Sequence, residues 1–441
     1  MLELTGFDTG PCRLFLKLET QNPGGSIKDR MALYMVKAAE QSGALQPGGA
    51  IIEATAGNTG LGLALVAIAR GYRLVLVIPD KMSQEKIAHL QAMGVEIHLT
   101  RSDVCKDHPD FYQNFAERLA RQIPNSVWVN QFSNPANPQA HEETTGPEIW
   151  EQMDHQLDAV VCGVGSGGTI TGLSRFFARV HPEVEMILAD PQGSALADYV
   201  HTGHLGKGGP SVVEGIGSGQ LPAIADFTRV RDAFQIPDSE SLETARQLLK
   251  RAGILAGSSS GTLVSAALRY CRKQTEPKRV VSFICDSGNK YLSKMFNDYW
   301  MMDQGFMARP QQGDLRDLIT RRYAEGAVIT VGPDDPLLTA FQRMRMADVS
   351  QVPVMQDGLA IGILDESDVL MSVQKDPRHF REPVRSAMTS RLETLPASAS
   401  LDDVVGVLER GMVALIVENG AFVGLITRTD LINHLRRKLQ Q

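Results

Sequence analysis

From about residue 10 to residue 300 the chain alternates short, β-branched apolar runs with longer stretches whose apolar positions recur at helical spacing. The runs at residues 14–18, 50–53, 74–79, 96–99, 127–130, 159–162, 185–190 and 280–285 are mostly bounded by Gly, Pro or Asn and read as strands. The stretches between them read as helices. Such alternation predicts open α/β sheets with ligand sites at the C-terminal ends of the strands. The periodicity breaks at residues 303–314, where Gly305, Pro310 and Gly313 mark a linker.

Beyond the linker the chain repeats itself. Residues 357–368 (DGLAIGILDESD) parallel residues 419–430 (NGAFVGLITRTD), with Asp430 following Asp368 by 62 positions. Each copy reads as strand, tight turn, strand and then a helix opening on an acidic residue. A unit this small needs a second copy to complete a core, so a pair of α/β repeats is expected.

Composition narrows the function classes. A length of 441 residues allows two or three domains, and 43% apolar with 22% charged residues is an ordinary globular balance. A formal charge of -7 without a basic run gives nucleic acid nothing to bind. The longest apolar stretch, residues 61–69, is far short of the roughly 20 residues of a membrane span. Met1 leads straight into Leu-Glu-Leu, with no charged region or apolar core of a signal peptide. Cys12, Cys105, Cys162, Cys271 and Cys285 show no C-x-x-C spacing and read as reduced, buried thiols of a cytoplasmic protein. His201 and His204 read as loop histidines, and no metal site is expected.

Four segments carry candidate chemistry. In Asn22-Pro23-Gly24-Gly25-Ser26-Ile27-Lys28-Asp29-Arg30 a tight loop puts Lys28 at the start of an amphipathic helix. A partly desolvated lysine beside helix-end dipoles has its charged form disfavoured, which suits a Schiff-base amine, although a solvated first-turn lysine would give the same local sequence. Glu53-Ala54-Thr55-Ala56-Gly57-Asn58-Thr59-Gly60 joins a strand to a helix. Its amides, with Thr55, Asn58 and Thr59, could form an anion site or simply a capped helix start. Gly163-Val164-Gly165-Ser166-Gly167-Gly168-Thr169 follows another strand, and Asp190 ends the next one 22 residues after Gly168. This fits a dinucleotide fingerprint and a single-phosphate cup equally well. The fourth segment, residues 255–262, is a serine-rich bend between helical stretches.

In this order the four segments resemble fold-type II pyridoxal-phosphate enzymes, and within them the cystathionine β-synthases and the related cysteine synthases. The resemblance covers residues 1–306. It implies two open α/β lobes with pyridoxal 5'-phosphate between them and Lys28 as the Schiff-base lysine and general base. It further implies Asn58 at the cofactor's ring oxygen, Gly165, Ser166, Gly167, Gly168 and Thr169 around its phosphate, and Ser259 at the pyridine nitrogen. A neutral serine there leaves the ring a weaker electron sink than a carboxylate would, favouring β-elimination and addition over transamination. Thr55, Thr59 and Gln131 match positions that bind the substrate carboxylate. The repeat resembles the tandem CBS module, which typically binds adenosine ligands such as S-adenosylmethionine, AMP or ATP. Thr427 and Asp430 match its nucleotide-contacting positions, and Asp365 replaces the hydroxyl residue in the first copy. The resemblance places the catalytic domain at 1–306, a linker at 307–317, and the CBS domains at 318–375 and 384–438, in a homodimer or higher homo-oligomer.

Some positions depart from the pattern. Ala56 replaces a serine of the substrate loop, and Ser218 replaces an aromatic residue common in the animal enzymes. The chain begins inside a segment that usually precedes the first strand, so a truncated start is expected, and haem regulation is not. Residues 71–73, 80–83, 190–194 and 214–217 favour cystathionine β-synthase, whereas residues 131–138 and the helix at 141–150 favour cysteine synthase. The repeat tips the reading to L-serine (or O-acetylserine) plus L-homocysteine giving L-cystathionine, with O-acetylserine and sulfide giving cysteine as the alternative. An NAD-dependent oxidoreductase and a non-catalytic adenosine-nucleotide sensor are the remote alternatives.

Overall fold

All eight apolar runs form strands in the computed structural model, which describes residues 1–55, 57–80, 84–104, 107–308 and 311–438. Ala56, residues 81–83, Cys105 and Pro310 lie outside the described residues. The chain divides into two compact units, Met1–Asn297 and Asp298–Gln441.

The strands of the first unit are β1 (Leu2–Glu3), β2 (Arg13–Leu18), β3 (Ala50–Ala54), β4 (Arg73–Pro79), β5 (Glu96–Thr100), β6 (Ser126–Trp128), β7 (Ala159–Gly163), β8 (Glu185–Pro191), β9 (Val230–Ile236) and β10 (Arg279–Ile284). They build two sheets, ordered β1-β2-β10-β7-β8-β9 and β5-β4-β3-β6, in which every neighbouring pair is parallel except β1 with β2. Parallel strands covered on both faces need apolar side chains in both directions. In the smaller sheet Ile51, Leu74, Leu76 and Ile78 pack on one side with Met31, Met35 and Leu63, while Ile52, Val75 and Val77 pack on the other with Ala116. The larger sheet carries the main core, including Leu14, Val160, Ile187, Phe177 and Phe283. Strand β9 was not expected from its sequence. It lies at the sheet edge, where the exposed Arg231 and half-buried Asp232 interrupt the apolar run.

The first unit's helices include α1 (Lys28–Gln41), α2 (Asn58–Arg70), α3 (Gly168–Val180), α4 (Leu196–Thr202) and α5 (Ser258–Arg272). The serine stretch expected as a bend is instead the first turn of α5. Its hydroxyls find partners outside their own backbone, Ser258 Oγ accepting from the Glu214 amide and Ser260 Oγ from the Cys285 amide, which leaves the main chain free to coil. His201, expected in a loop, lies in the last turn of α4 and pairs with Asp232 at 3.1 Å.

The second unit holds the repeat. Hairpins β11 (Gln351–Gln356) with β12 (Leu359–Asp365), and β14 (Ala414–Glu418) with β15 (Ala421–Ile426), are the two copies, and β13 (Glu393–Pro396) adds to the second. Both turns use the Asp/Asn-Gly pair at positive φ that a two-residue hairpin loop requires: 52° and 80° at Asp357-Gly358, 48° and 81° at Asn419-Gly420. Helices α6 (Glu366–Val373) and α7 (Arg428–Lys438) follow the hairpins. The cores cross the sequence halves: Leu315, Leu318 and Ile319 pack with the second copy, and Val384 packs with the first. No helix among the described residues is long and apolar enough to cross a membrane.

Candidate active site

The loop before α1 is built on a turn in which the Gly25 amide bonds the Asn22 carbonyl, with Gly25 at φ 70°. Ser26 is fully buried and bridges to Asp286, and the Ile27 amide bonds the Cys285 carbonyl. The loop is thereby pinned to the chain leaving β10. Lys28 opens α1 and lines a cavity with Gly165, Ser166, Gly167, Gly168 and Thr169. Phe283 and Cys285 form part of its wall.

The glycines of this cup are demanded by close packing. A Cβ on Gly165 would sit 2.4 Å from the Gly215 carbonyl oxygen, and one on Gly168 would sit 1.9 Å from Asn137 Oδ1. Gly167 has φ 94°, where a side chain is strained. Amides of the first turn of α3 lack intrahelical acceptors and suit an anion. Asn137, fully buried, orients the cup by donating from Nδ2 to the Ser166 hydroxyl at 2.9 Å and to the Gln131 carbonyl at 2.8 Å. His141 is also buried and stands 3.3 Å from the Thr169 hydroxyl. Burial, with the charges of Lys28 and Arg30, pushes its pKa down to about 3, so the imidazole is neutral. Among the described residues lining the cavity none is acidic and Lys28 is the one cation. Amides, two hydroxyls and a lysine are a donor set that fits a phosphorylated aldehyde.

The other candidate residues gather nearby in sequence-distant pairs. Thr59 Oγ1 donates to Gln131 Oε1 at 2.7 Å, so these two candidate substrate contacts touch. Thr55 Oγ1 accepts from the Gly57 amide at 3.2 Å. Beneath them lies Glu53, fully buried, whose carboxylate accepts from the amides of Ala54 and Gln131 and from the Trp128 indole. Burial pushes that carboxyl up, and the three hydrogen bonds oppose the shift. Asn58 opens α2 with its amide held between Asp286 and Lys290. Ser259 is buried in the first turn of α5, and burial pushes the pKa of the Cys285 thiol up to about 12. Cys285 is thus a half-buried wall group whose thiol is held in its protonated form.

Thr427 and Asp430 lie in the second unit and line a cleft there with Thr320, Arg321 and Arg428. Asp430 accepts from Thr427 Oγ1 at 2.6 Å and from Thr320 Oγ1 at 2.5 Å. In the first copy Asp365 caps α6, accepting from the Asp368 amide at 2.8 Å, while the Asp368 carboxylate accepts in return from the Asp365 amide at 3.0 Å.

Residues 1–286 match the family model "Pyridoxal-phosphate dependent enzyme", and residues 315–375 and 384–437 each match that of the CBS domain. The cystathionine beta-synthase of Apis mellifera is 33% identical over 435 residues, which is 97% of this chain and 86% of that protein. The chain belongs to the pyridoxal-phosphate-dependent enzymes. Other members of this family are also similar: cysteine synthase 1 of Emericella nidulans is 40% identical over 297 residues, covering 66% of this chain and 80% of that protein. The crystal structure of a hydrogen sulfide-producing enzyme from Fusobacterium nucleatum is 33% identical with a TM-score of 0.61, covering 66% of this chain and 95% of that one.

Membership in the pyridoxal-phosphate family disposes of the dinucleotide alternative, and the geometry agrees. Asp190, the residue that would meet a ribose, is fully buried and accepts from the Ala197 amide at 2.8 Å. The donors lining the cavity of Lys28 and the Gly165–Thr169 cup fit the chemistry of pyridoxal phosphate. Sequence reasoning did not single out Asp286, Lys290, Asn137, Glu53 or His141 as site residues. Their partners across the site lie far away along the chain, Asn58 for Asp286 and Lys290, Ser166 for Asn137, Gln131 for Glu53 and Thr169 for His141, and only the run of polar residues directly after β10 was a usable signal. Among the described residues there is no group of three or more side chains able to hold a metal ion.

Proposed function

We propose that the chain joins L-serine (or O-acetylserine) to L-homocysteine, giving L-cystathionine by β-replacement. The observation that carries this is the match to cystathionine beta-synthases along nearly the whole chain, the CBS pair included. Pyridoxal phosphate, when bound, withdraws electrons from Cα of the amino acid so that its proton and then its β-substituent can leave. In this reading Lys28 Nζ would hold the cofactor, and its free amine would take the α-proton as general base. The amides and hydroxyls from Gly165 to Thr169 hold the phosphate, Asn58 donates to the ring oxygen, and Ser259 meets the pyridine nitrogen. Thr55, Thr59 and Gln131 orient the substrate carboxylate. The Thr59–Gln131 contact supports that grouping.

Steady-state kinetics of serine and O-acetylserine against homocysteine and sulfide tests the reading. The highest kcat/KM is expected with homocysteine. A clear preference for sulfide would instead establish cysteine synthesis, the second reading, which the similarity to cysteine synthase 1 supports.

The domains proposed are 1–306, a linker at 307–317, 318–375 and 384–438, so a chain ending near Met302 should still turn over. The CBS pair takes one adenosine ligand, at Thr427 and Asp430, because the Asp365 carboxylate of the first copy repels phosphate. Calorimetry with S-adenosylmethionine, AMP and ATP tests this, and binding that survives Asp430→Ala places the site elsewhere. The free thiols Cys12, Cys162, Cys271 and Cys285 fit a cytoplasmic protein. Homodimeric assembly, as the family resemblance implies, is checked by light scattering.

A further inference from the structure

The chain leaving β10 carries two charged residues to which the proposed function gives no role. Lys290 Nζ donates to Asn58 Oδ1 at 2.5 Å and lies 3.4 Å from the Gly24 carbonyl oxygen. Asp286, buried to 1% exposure, accepts at Oδ2 from Asn58 Nδ2 and from the Tyr291 hydroxyl, both at 2.8 Å. A side-chain amide is nearly symmetric in shape, and only its partners fix which end is oxygen and which is nitrogen. Here a lysine, with no acceptor while charged, faces one end, and a carboxylate, with no donor, faces the other. Turning the amide over would set N–H groups against the Lys290 ammonium and oxygen against the Asp286 carboxylate.

We propose that Lys290 and Asp286 are positioning residues that lock the Asn58 amide in one sense, so that its second N–H is an obligatory donor toward the cofactor. The group met there must then be an acceptor, which favours the ionised form of the cofactor's ring hydroxyl. The same residues tie three loops together, since Asp286 also bridges to Ser26 and its carbonyl accepts from the Gly257 amide at 3.0 Å. The lock therefore sets Asn58 against the Lys28 loop on one side and the start of α5 on the other. Burial lowers the Lys290 pKa, with Asp286 and Asp29 pulling it back up, and an amine still donates through its N–H bonds if it loses the proton. The inference rests on Asn58 facing the cofactor.

The test uses the full-length chain in two measurements: affinity of the cofactor-depleted protein for pyridoxal phosphate, and the ratio of the two absorption bands that report the ionised and protonated ring hydroxyl in the holoenzyme. Lys290→Met should weaken affinity about tenfold and shift the bands toward the protonated form, the loss expected for one hydrogen bond involving a charged group. Lys290→Arg, which keeps the donor, should stay close to the original protein. Asn58→Ala should give the same shift, and adding Lys290→Met to it should change nothing further, because the lysine reaches the ring hydroxyl only through the amide. If Asn58→Ala shifts both readouts and Lys290→Met shifts neither, or if the two losses add, the lock is wrong. If Asn58→Ala shifts neither, the placement of Asn58 against the cofactor is what fails. Equal thermal destabilisation of the cofactor-free Lys290→Met protein would make the lysine a structural residue and overturn the proposal.

Discussion

Replacing Gly168 by alanine tests the packing of the Gly165–Thr169 cup directly. The new Cβ would lie 1.9 Å from Asn137 Oδ1 and 2.5 Å from its Cγ, so the Asn137 side chain has to leave. That side chain is fully buried and holds two hydrogen bonds, to the Gln131 carbonyl and the Ser166 hydroxyl. Losing both costs about 2–3 kcal/mol, and forcing a side chain into a packed interior adds about 1–3 kcal/mol. The expected destabilisation is thus at least about 3 kcal/mol, large beside the 5–15 kcal/mol of a typical folded domain. Urea unfolding followed by tryptophan fluorescence should show a lower midpoint at unchanged slope. Cofactor affinity should fall with it, because Ser166 loses the group that orients it. Asn137→Ala in the same chain removes the obstacle, so the double variant should be more stable than Gly168→Ala alone. A midpoint for Gly168→Ala within error of the original protein would refute the reasoning, and so would a double variant weaker than the single one.

Three further outcomes follow from the site. Lys28→Ala should abolish turnover and the visible absorbance of the bound cofactor while circular dichroism stays unchanged; retention of either activity or absorbance would remove Lys28 from its role. Ser259→Asp should protonate the pyridine ring and slow β-replacement by orders of magnitude, since the charge around a reacting group is preorganised, and normal kcat there would count against the pose. The Arg30 and Lys17 charges bonded to Glu148 hold its carboxyl down, to about 2. A carboxyl with a lowered pKa stabilises the fold above its ordinary value of about 4.3, and that contribution is lost as pH falls through the folded value. Acid titration of stability should therefore show a loss between about pH 4 and pH 2 that is smaller in Glu148→Gln, and an identical acid limb in both proteins would exclude the pair as its source.

Much of this architecture was legible in the sequence because it is written in local pattern. The parallel strands are buried on both faces, so β3, β4, β7, β8 and β10 appear as mainly apolar runs, and the two hairpin turns announce themselves through Asp357-Gly358 and Asn419-Gly420. Lys28 and the Gly165–Thr169 cup are visible for the same reason, since each is a short segment whose backbone demands particular residues. Strand β9 was missed because an edge strand keeps charged residues on its open face. Asp286, Asn137 and Glu53 escaped because nothing local distinguishes a buried polar residue from a solvated one. Asp286 acquires its role from Asn58, which stands far away in sequence and adjacent in space. The crossing of the repeat cores was equally hidden, for periodicity says that Leu315, Leu318 and Ile319 are buried but not against which copy.

The parallel pairing of β2 with β10, in register from Arg13 with Arg279 to Leu18 with Ile284, has a consequence for how the chain is made. Between those strands lies nearly all of the first unit, including the whole β5-β4-β3-β6 sheet. On a ribosome adding about 5–20 residues per second, β2 waits on the order of ten seconds or longer for its parallel neighbour to emerge. During that interval Leu14, Phe15 and Leu16, all buried in the finished protein, lack the strand that covers them. The smaller sheet, drawn from contiguous chain, can close while they wait. During synthesis β2 thus stays without its parallel neighbour until the last strand of the unit emerges and ends that exposure.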